Sequence, residues 1–327
     1  VLEFEEKWSK WLNVSYSVFV NSGSSANLIS MAVIRELYGS GEIVVPPLTW
    51  VSDIAACLQN GFRPVFADID PDSYCLNPIE VEKKISSRTK AIMTTALFGH
   101  PSDMDELILL AKKNDLVVIE DAAQAPGAVY KNSRIGSKAD MSVFSLNVHK
   151  HIHSGEGGMV TTNSADLADK LRLIRNHGES VVEKKKQNNI SNCFGFNLRL
   201  TEIQAVIAIE QLKKLPELLQ IRIENANYLS KKLSEIPGII SANVQKNCKH
   251  VYYVQPFKIK KDLIGCKRNA FINAVSKELP TSEDRPEGHL ISSGFIKPLY
   301  QLPMFQKKIA YGNSHWPFSC IQSFTLA

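Results

Sequence analysis

Short apolar runs alternate with amphipathic helical patterns along the first half of the chain. The apolar runs have the length of β-strands and lie at 43–45, 64–67, 91–95, 117–119 and 141–146. Helical patterns, such as those at 79–85 and 103–113, separate most of them. This alternation predicts an α/β fold with a mostly parallel central sheet that helices cover on both faces. Ligands of such sheets bind beyond the carboxyl ends of the strands.

A long helical pattern follows, from about residue 201 to residue 235. It is interrupted near Pro216 and ends at Pro237-Gly238. Beyond it, a strand at 251–259, a helix at 268–278 and a polar stretch at 280–288 indicate a small α+β domain. The sequence therefore predicts a large domain over 1–215 and a smaller domain over 216–327, joined by the long helix.

Composition narrows the class of protein. The 327 residues are 44% apolar, which is enough for a sizeable core and excludes a disordered or fibrous chain. The net charge of +5 suits anionic ligands but falls short of nucleic-acid binding. The six scattered cysteines form no Cys-x-x-Cys pair, and no apolar run approaches the ~20 residues that span a bilayer. We expect a cytoplasmic protein with no metal site and no membrane or nucleic-acid partner.

The segment from Phe144 to Gly158 places one lysine, Lys150, among His149, His151 and His153. A lysine whose pKa is lowered by burial or by neighbouring cations becomes an amine nucleophile that forms Schiff bases. A metal-binding patch and an ordinary polar loop are the alternatives, and the segment alone does not separate them.

Three other places carry candidate chemistry. The polar residues 21–27 open a predicted helix, where free N–H groups and hydroxyls suit a phosphate or simply cap the helix. Asp121 ends a buried strand, so its carboxylate either caps the next helix or meets a ligand nitrogen. Trp50 follows a turn and offers a flat face to a ligand or packs in the core. Together with Lys150, they meet the requirements for holding pyridoxal phosphate.

These motifs resemble the DegT/DnrJ/EryC1/StrS sugar aminotransferases in both content and order. The matching segments are 21–26, 46–50, 64–70, 120–124, Phe144-Ser145, Lys150 with Gly155-Glu156-Gly157-Gly158, and Asn197-Leu198-Arg199. A weaker match continues at 294–300. The resemblance implies fold type I of the pyridoxal-phosphate enzymes, with a seven-stranded, mostly parallel sheet between helices and a smaller C-terminal α+β domain.

The resemblance also implies roles near the reactive ring. Lys150 would form the Schiff base with the cofactor and later move the proton during catalysis. Asp121 would pair with the pyridine nitrogen and keep it protonated, so that the ring accepts electrons. Trp50 would stack on the ring, and Gln124 would lie near the ring hydroxyl.

Ser24, Ser25 and Ser145 match the residues that bind the cofactor phosphate in this family. Asn197 matches a residue that reaches the phosphate of the neighbouring subunit, which implies a homodimer with shared active sites. Glu156 lies in the signature turn. The sequence assigns it no chemical step, and a role in stabilising the turn is at least as well supported.

Some members of this family are sugar 3-dehydratases, which carry histidine at the Schiff-base position. That position lies five residues before Gly155, and here it is Lys150. We therefore expect an aminotransferase that moves an amino group from L-glutamate to a keto group of a nucleotide-linked deoxysugar, for surface polysaccharide or related glycan biosynthesis.

Three alternatives remain at this point. They are an aminotransferase for a cyclitol or a small phosphorylated ketone, a sugar 3-dehydratase, and a non-catalytic regulator that binds the cofactor. Ala96 stands where many relatives have histidine, so a substrate contact from that side chain is not expected. His151 and His153 either shape the substrate site or serve packing.

Overall fold

The computed structural model describes residues 1–178, 193–280, 290–294, 297–310 and 312–318. The strands are β1 Tyr16–Val20, β2 Glu42–Val45, β3 Arg63–Phe66, β4 Thr89–Thr95, β5 Val117–Asp121, β6 Val129–Tyr130, β7 Ser133–Arg134, β8 Met141–Ser145, β9 Gly158–Thr162, β10 Ile239–Ser241, β11 Cys248–Lys249 and β12 Phe257–Ile259. The α-helices are α1 Leu2–Leu12, α2 Gly23–Tyr38, α3 Val51–Gln59, α4 Pro78–Glu82, α5 Met104–Lys113, α6 Ala165–Arg175, α7 Glu202–Ser234, α8 Lys261–Ile264, α9 Arg268–Glu278 and α10 Pro303–Lys307.

The central sheet has seven strands in the order β1-β9-β8-β5-β4-β2-β3. Neighbours from β8 to β3 are all parallel, whereas β9 is antiparallel to both β8 and β1. The predicted α/β class and mostly parallel sheet are confirmed. β6, β7 and β11 form a second sheet, and β10 pairs with β12.

Alternate residues of each inner strand face opposite sides of the sheet and enter two separate cores. In β4, Ile92 joins the core formed with α1, α5 and α7, while Ala91 and Met93 join the core formed with α2, α3 and α6. Both sides of the sheet are therefore covered by helices. On the first side, Trp8 of α1 is fully buried and meets the ring of Phe144 edge-on at 5.1 Å.

Two strands of the main sheet, β1 and β9, have no counterpart among the predicted strands. Nearly all their residues are buried on both faces, so their sequences lack the alternation that marks a half-exposed strand. The strand predicted at 251–259 is wrong for its first part, because only Phe257–Ile259 is a strand. The predicted polar stretch at 280–288 lies, after Pro280, outside the described residues.

Helix α7 runs from Glu202 to Ser234 without a break, so the predicted interruption near Pro216 is wrong. Proline removes one N–H from the helix ladder, but a 33-residue helix that packs on the core tolerates the loss. Thr201 begins the helix with a capping box: its side chain accepts from the Gln204 N–H. We propose that the smaller unit begins within this helix, near residue 215.

The described helices include none with both the length and the apolar character that a membrane crossing requires.

Candidate active site

A cleft of about 1050 Å³ opens at the carboxyl ends of the parallel strands. Its walls come from the start of α2, the turns after β2, β4, β5 and β8, and a segment from the C-terminal part. Topological reasoning predicts a ligand at this edge. Seven of the eight residues singled out from the sequence line this one cleft: Ser24, Ser25, Trp50, Asp121, Gln124, Ser145 and Lys150.

The start of α2 forms an anion site at one end of the cleft. The side chain of Ser22 caps the helix by accepting from the Ser25 N–H at 3.0 Å. The first amides of a helix have no acceptors within it, and the helix dipole favours negative charge there. A Cβ added to Gly23 would lie 2.7 Å from Cβ of Ser145, so only glycine lets α2 approach that serine. Ser24, Ser25 and Ser145 all line this end of the cleft, and the Ser25 hydroxyl donates to Asn21 Oδ1 at 2.6 Å.

Asp121 ends β5 and is 5% exposed. Its Oδ1 accepts from the Ala123 N–H at 2.8 Å, and its Oδ2 accepts from Asn27 Nδ2 at 3.1 Å. The helix-cap alternative is wrong, because turns rather than a helix follow Asp121. Two hydrogen bonds fix the carboxylate and leave further lone pairs for a donor in the cleft.

Lys150 lies in the loop between β8 and β9 and faces Asp121. Burial lowers its pKa, and the nearby carboxyl group of Asp121 acts in the opposite direction. Its Nζ lies 4.7 Å from the ring centroid of Tyr253, a cation–π distance. A lysine with a lowered pKa, held in a cleft, is suited to act as an amine nucleophile and a base.

Trp50 and Gln124 complete the part of the cleft around Asp121. The Trp50 side chain is 61% exposed at the cleft, so the core-packing alternative is wrong. Gln124 is nearly buried, and its Oε1 accepts from the Phe98 N–H at 2.7 Å. That bond fixes the amide and leaves Nε2 as a donor.

The three histidines beside Lys150 have different surroundings. His149 is exposed and lines the cleft. His151 is buried, and its Nε2 lies 3.2 Å from the carbonyl oxygen of Val251. Burial lowers the pKa of His151 to about 3, and the positive charge of the nearby Arg222 acts in the same direction, so the ring is neutral. His153 lies outside the cleft lining, and its Nδ1 accepts from the Gly155 N–H at 3.4 Å.

Asn197 does not line the cleft of its own chain. It is exposed, and its backbone forms an isolated bridge with Asn176. Glu156 lines the cleft, but its Oε1 accepts from Asn147 Nδ2 at 2.7 Å within the signature turn. Its carbonyl oxygen accepts from Gln204 Nε2 at 3.3 Å. These contacts agree with a turn-stabilising role for Glu156.

Sequence reasoning missed three polar or aromatic residues of the site. Asn27 and Asp53 lie beneath Asp121, and Tyr253 covers Lys150. Asn27 belongs to the polar segment that opens α2, but a pattern of hydroxyls and glycine does not single it out. The segment Thr49-Trp50-Val51-Ser52-Asp53 contains an acid at the start of a helix, where acids are ordinary.

The donor set fits pyridoxal phosphate. Free amides and hydroxyls suit its phosphate, the Asp121 carboxylate suits a protonated ring nitrogen, and Lys150 supplies the amine. The amides at the start of α2 and the nearby serine hydroxyls form the phosphate cradle of this site, and the close approach of Gly23 to Ser145 brings its two parts together.

Comparison with known proteins agrees with this chemistry. The model of the DegT/DnrJ/EryC1/StrS aminotransferase family matches residues 1–319. The chain is 36% identical over 262 residues to dTDP-3-amino-3,6-dideoxy-alpha-D-galactopyranose transaminase from Aneurinibacillus thermoaerophilus, an alignment that covers 79% of this chain and 69% of the relative.

Two solved structures are similar over most of the chain. The first is Helicobacter pylori PseC, an aminotransferase involved in the biosynthesis of pseudoaminic acid, with a TM-score of 0.82 and 29% identity over 95% of this chain and 80% of the other. The second is the E. coli GDP-4-keto-6-deoxy-D-mannose-3-dehydratase with bound hydrated PLP, with a TM-score of 0.76 and 28% identity over 85% of this chain and 75% of the other.

Proposed function

The chain belongs to the DegT/DnrJ/EryC1/StrS aminotransferase family, and from that membership we propose that it transfers the amino group of L-glutamate to a keto group of a nucleotide-linked deoxysugar. It is an enzyme that depends on pyridoxal 5'-phosphate. The proposal extends to the biosynthesis of a surface polysaccharide, such as lipopolysaccharide, or a related glycan in the cytoplasm. The observation that carries it is Lys150, placed in one cleft with Asp121 and the start of α2.

The cleft residues divide between the two ends of the cofactor. Ser24, Ser25 and Ser145 would bind the phosphate, together with the amides that begin α2. Asp121 would hold a proton at the ring nitrogen, because a buried carboxylate is stabilised by a charged donor. Trp50 would cover the ring, and Gln124 Nε2 would donate to the ring hydroxyl.

Lys150 Nζ would move the proton at the amino-bearing carbon of the substrate. Pyridoxal phosphate, when bound, supplies the electron sink that makes this carbon acidic. Burial keeps more of the lysine in its free amine form, which is the form that accepts a proton. The Tyr253 ring lies over the amine and shields it from solvent.

The dehydratase alternative conflicts with the residue at the Schiff-base position. Dehydratases of this family carry histidine there, and this chain carries Lys150. His151 is buried and bonded to Val251, so it does not replace the lysine in the cleft. Lys150 therefore favours amino transfer.

The test is a two-stage assay of the holoenzyme. L-Glutamate alone should convert the bound cofactor to its amine form, and a keto sugar added next should restore the original spectrum, as in ping-pong kinetics. The kcat/KM for nucleotide-linked keto sugars should be about a hundredfold or more higher than for cyclitol ketones and small phosphorylated ketones. The reason is that binding of the remote nucleotide helps to stabilise the transition state.

Two results would count against the proposal. Equal turnover of ketones without a nucleotide would reject the nucleotide-sugar assignment and support the small-ketone alternative. Failure of glutamate, glutamine and other amino acids to convert the cofactor would support a non-catalytic regulator.

We also propose that the enzyme works as a homodimer whose active sites use residues of both subunits. Apolar side chains are unusually exposed near the cleft: Phe194 is fully exposed, and Ile203 and Val206 of α7 are 75% and 59% exposed. Exposed apolar groups of this kind mark protein interfaces. Asn197, three residues after Phe194, is also exposed and does not line the cleft of its own chain.

Complementation tests the shared site. Lys150→Ala and Asn197→Asp chains should each be weakly active, the second because a carboxylate would face the phosphate. Mixed after dissociation, they should regain about one quarter of the wild-type sites, as two-fold symmetry requires. No recovery on mixing, or a monomeric mass in sedimentation of the active holoenzyme, would reject the shared site.

A further inference from the structure

A second carboxyl group lies beneath Asp121 and has no part in the function proposed so far. Asp53, in the first turn of α3, is completely buried. The polar residues around it, Asn27, Thr49 and Thr95, are also buried, with at most 4% of any of them exposed. A buried carboxyl group is costly unless it is hydrogen-bonded or neutral, so this cluster requires a physical reason.

Asn27 joins the two carboxyl groups. Its Nδ2 donates to Asp53 Oδ1 at 2.8 Å and to Asp121 Oδ2 at 3.1 Å. An amide nitrogen carries two hydrogen atoms, so each carboxyl group receives one of them. The position of Asn27, and through it one of the two bonds that orient Asp121, therefore depends on Asp53.

The other oxygen of Asp53 closes a ring with two threonine hydroxyls. Oδ2 lies 2.5 Å from Thr49 Oγ1 and 3.1 Å from Thr95 Oγ1, and the two hydroxyl oxygens are 2.9 Å apart. The three contacts of this ring need three hydrogen atoms, but the two hydroxyls supply only two. A proton on Asp53 would supply the third.

The charges around Asp53 agree with a neutral group. Burial is the main cause that raises the pKa of Asp53 well above its ordinary value, and the neighbouring Asp121 carboxyl group is the second. The hydrogen bonds from the two threonines act in the opposite direction. Among the described residues, Cys57 and Lys150 also interact electrostatically with Asp53, and burial raises the pKa of the Cys57 thiol strongly. Two carboxyl groups so close together do not both ionise readily.

We propose that Asp53 is a positioning residue that stays neutral and, through Asn27, orients Asp121 as the single negative charge facing the cleft. This inference deepens the proposed function and rests on it for the partner of Asp121. The neutral acid accepts from Asn27 with one oxygen and donates to the threonine ring with the other. The side-chain amide of asparagine has the same shape, and it can also accept from Asn27 and donate to the threonine ring, although its nitrogen cannot accept from a hydroxyl; leucine can neither accept nor donate.

The test compares Asp53→Asn with Asp53→Leu in the affinity of the apoenzyme for pyridoxal phosphate. Asp53→Leu should weaken binding by about tenfold to a hundredfold, because it leaves a buried Asn27 N–H and a buried hydroxyl without a partner. Asp53→Asn should stay within about threefold of wild type, since it keeps both hydrogen bonds. The pH titration of the bound-cofactor absorbance should have the same midpoint in Asp53→Asn and wild type.

A shift of that midpoint in Asp53→Asn would overturn the proposal, because it would show that Asp53 carries a charge. Wild-type affinity in Asp53→Leu would also overturn it. Thermal unfolding of each apoenzyme shows whether the variant folds, and Asn27→Leu gives a second approach. If Asp53 acts through Asn27, the variant that combines Asp53→Leu with Asn27→Leu should bind pyridoxal phosphate no more weakly than Asn27→Leu alone. Additive losses of affinity would show that Asp53 does not act through Asn27.

Asp121→Asn separates this inference from the proposed function. Unchanged cofactor affinity in Asp121→Asn would mean that Asp121 does not meet the ring nitrogen, so the proposed function itself would fail. Weak binding in Asp121→Asn with wild-type binding in Asp53→Leu would reject only the role of Asp53.

Discussion

Replacing Lys150 with alanine should abolish the absorbance band of the lysine-bound cofactor and slow the glutamate half-reaction by about 10²–10⁴-fold, the contribution of a positioned proton-transfer group. In the proposed function, the amine attaches the cofactor covalently and is also the group that moves the substrate proton. Cofactor binding should persist, because the cradle at α2 and the Asp121 carboxylate are unchanged. Absorbance spectra and single-turnover kinetics with L-glutamate measure both effects.

The matched control is Lys112→Ala, which removes an exposed lysine from the end of α5. It should leave the spectrum and the rate at wild-type values. An added primary amine should restore part of the rate of Lys150→Ala if the missing function is proton transfer. A Lys150→Ala enzyme that keeps the lysine-bound spectrum would show that another lysine is the nucleophile.

Replacing Asp121 with asparagine should weaken cofactor binding by about ten- to a hundredfold, since a charge-assisted hydrogen bond contributes about 1.5–3 kcal/mol. The shape of the side chain is kept, so the loss reports the charge. Turnover should fall as well, because a neutral amide does not hold the proton at the ring nitrogen. Fluorescence titration of the apoenzyme gives the dissociation constant, and stopped-flow absorbance gives the rate.

Asp166→Asn makes the same change on the exposed first turn of α6 and should affect neither quantity. Equal cofactor affinity in Asp121→Asn and Asp166→Asn would mean that the Asp121 carboxylate does not meet the cofactor. A loss of affinity accompanied by a large drop in the unfolding temperature of the apoenzyme would assign the carboxylate to stability instead.

The residues that sequence reasoning placed in the cleft share one property. Trp50, Asp121 and Ser145 stand at or just beyond the ends of strands, and a parallel sheet gathers strand ends at one edge. Ser24 and Ser25 begin a helix whose polar opening is visible as a local pattern. For these positions, the order of elements along the chain is enough to predict that they meet.

The residues that were missed depend on packing between distant elements. Asp53 lies on α3, and it becomes a buried neighbour of Asp121 only because α2 and α3 pack against the end of β5. Tyr253 reaches Lys150 because backbone bonds attach its segment to the turn after β4: the Val251 N–H donates to Gly99 O at 3.0 Å. Neither arrangement leaves a periodic signal in the sequence.

Strand β9 has a consequence for how the enzyme loses function under stress. Because β8 and β9 pair antiparallel, with Ser145 opposite Gly158, the loop that carries Lys150 is the connection of a hairpin within the main sheet. Its ends are tied by the Leu146 N–H, which donates to Gly157 O at 2.7 Å, and by the Ser154 N–H, which donates to Leu146 O at 3.0 Å. Lys150 and the phosphate cradle therefore belong to one cooperative unit, whereas Tyr253 belongs to the C-terminal part of the chain. Local opening of this hairpin would therefore displace the amine and the Ser145 hydroxyl together. Heat or mild denaturant would thus remove catalysis and cofactor binding in one transition.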